Sequence, residues 1–327
     1  PDWSRGLGDV YKRQEEEDAV RSRYGAPGSN PLKATFVEEI QATLQTDSSD
    51  IEFVRERPDV MILIDTLTLR VEVDVRPVFI YGRYIKNSRE IPQTRWPCRS
   101  CRGRKGGCEA CESSGLQYLD SVQDLIGRPF VAGMGALDTA FHGMGREDID
   151  VRCLGGGRPF VLEVKSPRSR SPELSDYESI ISSTCGGRVE VNSLRFSDRK
   201  EVARIKQTRS EKTYTIRFST KETIDEEKAT SLILSLSGVV VEQQTPKRVS
   251  HRRADKNRKR RIISVDEVNF DGEEIEVTLR CEAGTYIKEL VHSDEGRTNP
   301  SVAGVLETAC EVIWPVSYTH LTLPTIP

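Results

Sequence analysis

Short runs in which apolar and polar residues take turns recur along this chain. Ile149, Val151 and Cys153 alternate with Asp148, Asp150 and Arg152, and Ile275, Val277, Leu279 and Cys281 share one face of Glu274–Cys281. A period of two fits a pleated strand with one buried face and does not fit a helix. Further strands are expected at Asp59–Asp65, Leu67–Val75, Phe160–Val164, Val189–Phe196, Thr213–Phe218, Val239–Gln243 and Ile262–Phe270. Asp271-Gly272 is a hairpin signal between the last two strands, and Gly155-Gly156-Gly157 predicts a second hairpin, between Asp148–Leu154 and Phe160–Val164. Helical character is confined to Lys33–Leu44, Val122–Ile126, Asp225–Leu236 and Tyr286–His292. Phe130 to His142 reads as a Gly- and Ala-rich approach. These patterns predict an α+β fold built on a mixed sheet.

Of the 327 residues, 30% are charged and 36% hydrophobic, with a net charge of −3. That composition suits a globular protein with an extensive charged surface. No stretch approaches the ~20 apolar residues of a membrane span, and no signal-peptide pattern opens the chain. A cytoplasmic protein without a membrane partner is expected.

The two ends are unusual. Asp9-Val10-Tyr11-Lys12-Arg13-Gln14 can be encoded by GAT GTG TAT AAG AGA CAG. The reverse complement, in another frame, reads Val316-Ser317-Tyr318-Thr319-His320. Both ends resemble one sequencing-adapter cassette in opposite orientations, so residues 1–14 and 316–327 are set aside as non-native flanks. Residues 15–30 read as a linker, 31–95 as a small α/β module, 96–115 as a cysteine-rich knuckle and 116–315 as the main domain.

Four of eight cysteines fall within fourteen residues: Cys98, Cys101, Cys108 and Cys111. Two CxxC pairs can close a tetrahedral Zn²⁺ site with no open position, which predicts one structural zinc. An iron–sulfur cluster, disulfides or free thiols are the alternatives. Lys247 to Arg261 carries nine Lys or Arg in fifteen residues. Such a run attracts phosphates with salt-dependent affinity, or is a solvated basic loop.

Gly145-Arg146-Glu147-Asp148 places an Arg-Glu-Asp group just ahead of a strand; alone, acids there are ordinary solvent-facing residues. The group resembles the GRxD motif of TruA-type pseudouridine synthases. Lys212-Thr213-Tyr214 resembles the KxY motif of that superfamily, and Gly284-Thr285-Tyr286-Ile287-Lys288 the TruB-type GTYIR motif with Lys for Arg. Longer blocks (Tyr81–Tyr84, Ile91–Thr94, Phe141–Arg152, Gly157–Phe160, Gln244–Arg253 and Ala283–Thr298) are similar to the archaeal and eukaryal tRNA pseudouridine synthases of the Pus-ten family. The resemblance runs from about Phe79 to Val312.

It implies a synthase-type mixed sheet with a central RNA cleft, preceded by a partial THUMP-like module (31–95) and a zinc knuckle. It implies an isomerase that converts uridine to pseudouridine in the tRNA T-arm, at positions 54 and/or 55, without a cofactor for catalysis. Asp148 would be the nucleophile and Lys288 its ion-pair partner. Tyr214 would stack on the base or relay a proton, and Arg146 would fill the space of the flipped base or hold a phosphate. Arg83, Lys86, Arg89, Lys247, Arg248, Arg252 and Arg253 would contact RNA. A monomer with tRNA as its partner is expected. The rival expectation is a non-catalytic, zinc-dependent tRNA-binding protein or chaperone.

Overall fold

The computed structural model describes residues 7–25, 30–47, 50–65, 68–252 and 254–319, without the side chains of 7–14, 32, 251, 252 and 319. The chain divides into two compact units at Val71/Glu72. The first contains α1 (Leu7–Arg23), α2 (Leu32–Asp47) and β1 (Val60–Asp65). Residues 15–23, expected in a linker, belong to α1 instead, where Arg21 pairs with Glu17 one turn away at 2.6 Å. β2 (Arg70–Val75) and β1 form a two-stranded sheet.

The second unit holds β3 (Val78–Lys86), α3 (Val122–Met134), β4 (Asp138–Gly143), β5 (Arg152–Lys165), α4 (Leu174–Thr184), β6 (Val189–Ser197), α5 (Arg199–Gln207) and β7 (Lys212–Thr220). It continues with α6 (Glu226–Leu234), β8 (Val240–Gln244), β9 (Asn257–Asp271), β10 (Glu274–Cys281), α7 (Ile287–His292), β11 (Thr298–Asn299), α8 (Val302–Leu306) and β12 (Cys310–Thr319). Ten strands make one sheet in the order β11-β8-β9-β10-β7-β12-β5-β3-β6, with β4 also paired to β5. The pairings are antiparallel except β12 with β5. The α+β class is therefore correct, with a mixed sheet that is mostly antiparallel.

Two cores flank the seam at β12. One packs α3 and α4 on β3–β6, through residues such as Ile126, Phe130, Phe160 and Ile181. The other packs α6, α7 and α8 on β7–β10, through Ile216, Phe218, Ile233 and Leu290. α3 shows why: Val122, Ile126, Phe130 and Met134 recur every fourth residue on its buried face. Ser121 caps its first turn through Asp124 N, and Gly135 ends it in the left-handed region at φ 58°.

Four expectations need correction. The Gly155–Gly157 run is no hairpin turn: β5 passes straight through it. The register against β3 jumps from Tyr84↔Arg158 to Lys86↔Cys153, so the glycines form a bulge within one strand. Asp148 to Val151 is not strand but a turn, with Val151 N bonded to Asp148 O at 3.2 Å, and β5 starts at Arg152. The alternation around Asp148 therefore assigns no faces. The small module expected over 31–95 ends ahead of β3, which pairs with β5 and β6 in the main sheet. Finally, residues 316–318, set aside as flank, pair in β12 with both β5 and β7, and residue 319 pairs with β5. Ladder bonds are made by backbone, and Val, Tyr and Thr are good strand formers.

Candidate active site

The turn carrying Arg146, Glu147 and Asp148 stands on a buried polar network. Glu147 is 8% exposed. Tyr84 Oη donates to its carboxylate at 2.8 Å, Gln93 Nε2 donates at 3.0 Å, and Arg158 Nε lies 3.4 Å away. Gln93 also donates to Gly145 O at 3.1 Å and to Tyr84 Oη at 2.9 Å. Arg158 donates to Met144 O at 3.2 Å. A carboxylate buried without donors and a cation is costly, and this network supplies both. Burial, then the Glu147 charge, push the Tyr84 phenol well above its ordinary range.

Lys86 belongs to this network and not to a surface. It is fully buried and donates to Ile149 O at 2.7 Å and Asp148 O at 3.4 Å. Burial lowers its pKa. Arg89 ties the turn to β12, donating to Asp150 O at 2.8 Å and Pro315 O at 2.7 Å. Arg83 binds Gly156 O and Gly157 O at 2.5 and 2.8 Å. Three residues expected on RNA therefore pin the backbone around the Asp148 turn and the β5 bulge.

The two aspartates of the turn have separate cationic partners. Arg248 Nη1 lies 2.7 Å from Asp148 Oδ2, whereas Lys288 Nζ lies 2.5 Å from Asp150 Oδ2. The expected Lys288–Asp148 pair is thus replaced by Lys288–Asp150. Arg248, expected on RNA, takes the place beside Asp148. Its Nε also meets Glu289 Oε1 at 2.6 Å, and Nη2 meets Oε2 at 3.3 Å. Against the cost of burial, the Glu289 and Asp148 carboxylates raise the Arg248 pKa. Asp148 and Arg248 keep about a third of their side-chain surface exposed, while Glu289 keeps 2%.

β7 supplies Lys212 and Tyr214 from the face that also buries Ile216 and Phe218. Backbone register places Ser317 of β12 opposite both Tyr214 and Cys153. Burial pushes the Tyr214 phenol up to about 12, so it is a neutral donor near pH 7. Burial and then Arg158 lower Lys212 to about 7. A Cβ built on Gly145 would lie 2.8 Å from Lys212 Nζ. At φ 76°, Gly145 both turns the chain and leaves room for that ammonium.

Arg146 is exposed and lies over the Trp96 ring at 5.7 Å. Lys247 pairs with Glu295 and donates its N–H to Asp294 Oδ2 at 3.1 Å. The Arg252 side chain and Arg253 lie outside the described residues. The rest of the basic run is strand: residues 257–261 open β9 and pair with β8. Arg258 lies over the Tyr286 ring at 5.9 Å.

Cys98, Cys101, Cys108 and Cys111 bring their Sγ atoms within 4.8 Å of one another. Neighbouring sulfurs are 3.7–3.9 Å apart, the edge of a tetrahedron with ~2.3 Å metal–sulfur bonds. Cys108 N and Gly115 N each donate to Cys111 Sγ at 3.2 Å. Against burial, which raises it, these bonds pull the Cys111 thiol down to about 6. The four thiols can hold a metal ion. No described helix is long and apolar enough to cross a membrane.

The family model described as "Pus10, C-terminal" matches residues 79–314, which span the whole site. The chain belongs to the Pus10 family. The tRNA pseudouridine synthase Pus10 of Methanothrix thermoacetophila is 47% identical over 299 residues, covering 91% of this chain and 65% of that protein. That of Methanocaldococcus jannaschii is 44% identical over 256 residues, covering 78% and 56%. The chain thus spans less than two thirds of either relative. Among solved structures, a Cbf5-Nop10-Gar1 complex shares 13% identity at TM-score 0.36, over 72% of this chain and 56% of that one. In this Pus10 family member, motif reading named Asp148, Arg146, Tyr214, Lys288 and the four cysteines as candidates. It missed Glu147, Tyr84, Gln93, Arg158 and Glu289. The signal was there: all five lie inside blocks that resemble the family.

Proposed function

We propose that this chain is the catalytic part of a tRNA pseudouridine synthase, acting on uridines 54 and/or 55 of the T-arm. The reading rests on family membership together with one feature of the site. Asp148 is a partly exposed carboxylate on a rigidly supported turn, paired to a cation at 2.7 Å. The reaction breaks the uracil N1–C1′ bond, turns the base and joins C5 to C1′, while a proton leaves C5 and N1 gains one. Asp148 attacks or assists at the sugar–base junction, and Arg248 pairs with its carboxylate at 2.7 Å. Tyr214, a neutral hydroxyl near pH 7, stacks on the base or relays the proton. Arg146 is the exposed side chain of the turn and enters the space that the flipped base leaves.

The residues ahead of β3 belong to a THUMP-like RNA-binding module. The four cysteines hold one structural zinc, which carries no chemistry because all four positions are filled. The protein works as a cytoplasmic monomer on tRNA and needs no other cofactor. The test uses unmodified tRNA transcript with wild type beside Asp148→Asn, with pseudouridine mapped by carbodiimide adduct and primer extension. T-arm pseudouridine from wild type alone is the expected result. Tight tRNA binding with no product from either protein would make this a binding protein instead.

A further inference from the structure

We propose that Glu289 and Arg248 act as a positioning pair for Asp148, so that Glu289 governs turnover without touching RNA. The inference rests on the reading of Asp148 as the reacting carboxylate. Glu289 is 1% exposed on α7, and a carboxylate so buried requires a partner cation. Arg248 supplies it through two nitrogens, Nε at 2.6 Å and Nη2 at 3.3 Å. A guanidinium is planar, so fixing two of its nitrogens fixes the direction of the third. That third nitrogen, Nη1, meets Asp148 Oδ2 at 2.7 Å.

The chain Glu289–Arg248–Asp148 joins three separate elements: α7, the short helical turn Lys247–Arg252 after β8, and the turn before β5. The adjacent residue on α7, Lys288, holds Asp150. α7 therefore fixes both aspartates of the turn, one directly and one through Arg248. The motif reading pairs Lys288 with Asp148 and gives Glu289 no role. The competing role for Arg248 is a phosphate contact, and the two roles separate cleanly in measurement. A phosphate contact changes affinity and its salt dependence, whereas a positioning residue changes the rate after binding.

The experiment compares wild type, Arg248→Lys, Arg248→Gln, Glu289→Gln and the double Gln variant, each in the full chain and checked by melting temperature. Single-turnover rates on tRNA transcript are read beside tRNA Kd from 50 to 200 mM salt. Misplacing a reacting group by about 1 Å costs on the order of 100-fold, so Glu289→Gln and Arg248→Gln should each lose about that in rate at saturating enzyme. The double variant should lose no more than either single, because the residues act as one unit. Arg248→Lys, which keeps the charge but reaches one carboxylate at a time, should fall between. Kd and its salt slope should stay at wild-type values throughout. Undiminished rates, additive losses, or a salt slope reduced by about 0.9 for Arg248→Gln would overturn the assignment. A wild type that makes no pseudouridine would overturn the reading of the reaction, and this pair with it.

Discussion

Burial and the neighbouring Arg158 guanidinium hold the Lys212 ammonium at about 7. In the unfolded chain a lysine keeps its proton to ~10.4. Between those limits the unfolded state binds one proton more, so Lys212 makes stability rise with pH across that window. Below about 7 both states are protonated, and the full cost of the buried charge remains. Lys212→Met should therefore stabilise the fold most at pH 6.5, with the advantage shrinking towards pH 9.5. Urea unfolding of both proteins across that range reads the difference, in which the buried thiols and Tyr214 cancel. A difference independent of pH would mean that this amine is not desolvated. The same residue shows what local sequence could tell. Lys212-Thr213-Tyr214 is recognisable because its three residues are adjacent. That its ammonium sits under Gly145, and that Arg248 reaches Asp148 while Lys288 reaches Asp150, depends on how distant segments meet.

Strands with one buried face were legible, as β10 shows by alternating Ile275, Val277, Leu279 and Cys281 with polar residues. β3 was not legible, because Val78, Ile80, Tyr81, Gly82, Tyr84 and Lys86 are all buried and leave no period of two. β9 was legible from Ile262 onward, and only residues 257–261 were hidden, because charge dominates them. The pleat resolves that charge into two faces. Arg258 and Arg260 turn towards the 284–286 turn that leads into α7, with Arg260 Nε 3.4 Å from where a Gly284 Cβ would sit. Lys256, Lys259 and Arg261 are exposed, with Lys259 paired to Glu242 at 3.0 Å, and on the proposed tRNA reading they would meet phosphates. Changing all three to Gln should weaken tRNA binding and flatten the plot of log Kd against log salt by about 0.9 per lost phosphate contact. Exposed positions of this kind should leave stability within about 0.5 kcal/mol each. An unchanged slope would leave β9 a strand whose charge serves solubility alone.

At the scale of the molecule, the cysteine knuckle is an appendage with connections. None of its cysteines belongs to the two main cores, so the sheet should survive loss of the metal. Yet the knuckle adjoins the site through its first residues. Arg95 binds Asp124 at 2.6 Å and Asp138 at 2.7 Å, at the start of α3 and of β4. Trp96 lies under Arg146 of the Asp148 turn. Backbone bonds close the segment that carries the four cysteines: Cys98 N bonds to Gly115 O at 2.8 Å, and Gln117 N to Trp96 O at 2.8 Å. Binding of a structural zinc supplies folding free energy to the segment that it closes. The purified protein should therefore contain about one zinc per chain, and Cys98→Ser should lose it. The loss should expose Arg99, Arg102, Arg104 and Lys105 to trypsin about tenfold faster, while far-ultraviolet circular dichroism and the main melting transition stay near wild type. Pseudouridine formation should fall with the metal, because Arg146 then loses a fixed Trp96, and zinc restored to the wild-type apo-protein should recover both protection and rate. A protein as purified with no metal would refute the site itself. Metal-free protein with full protection and full rate would show instead that backbone bonds alone hold Trp96 beneath Arg146.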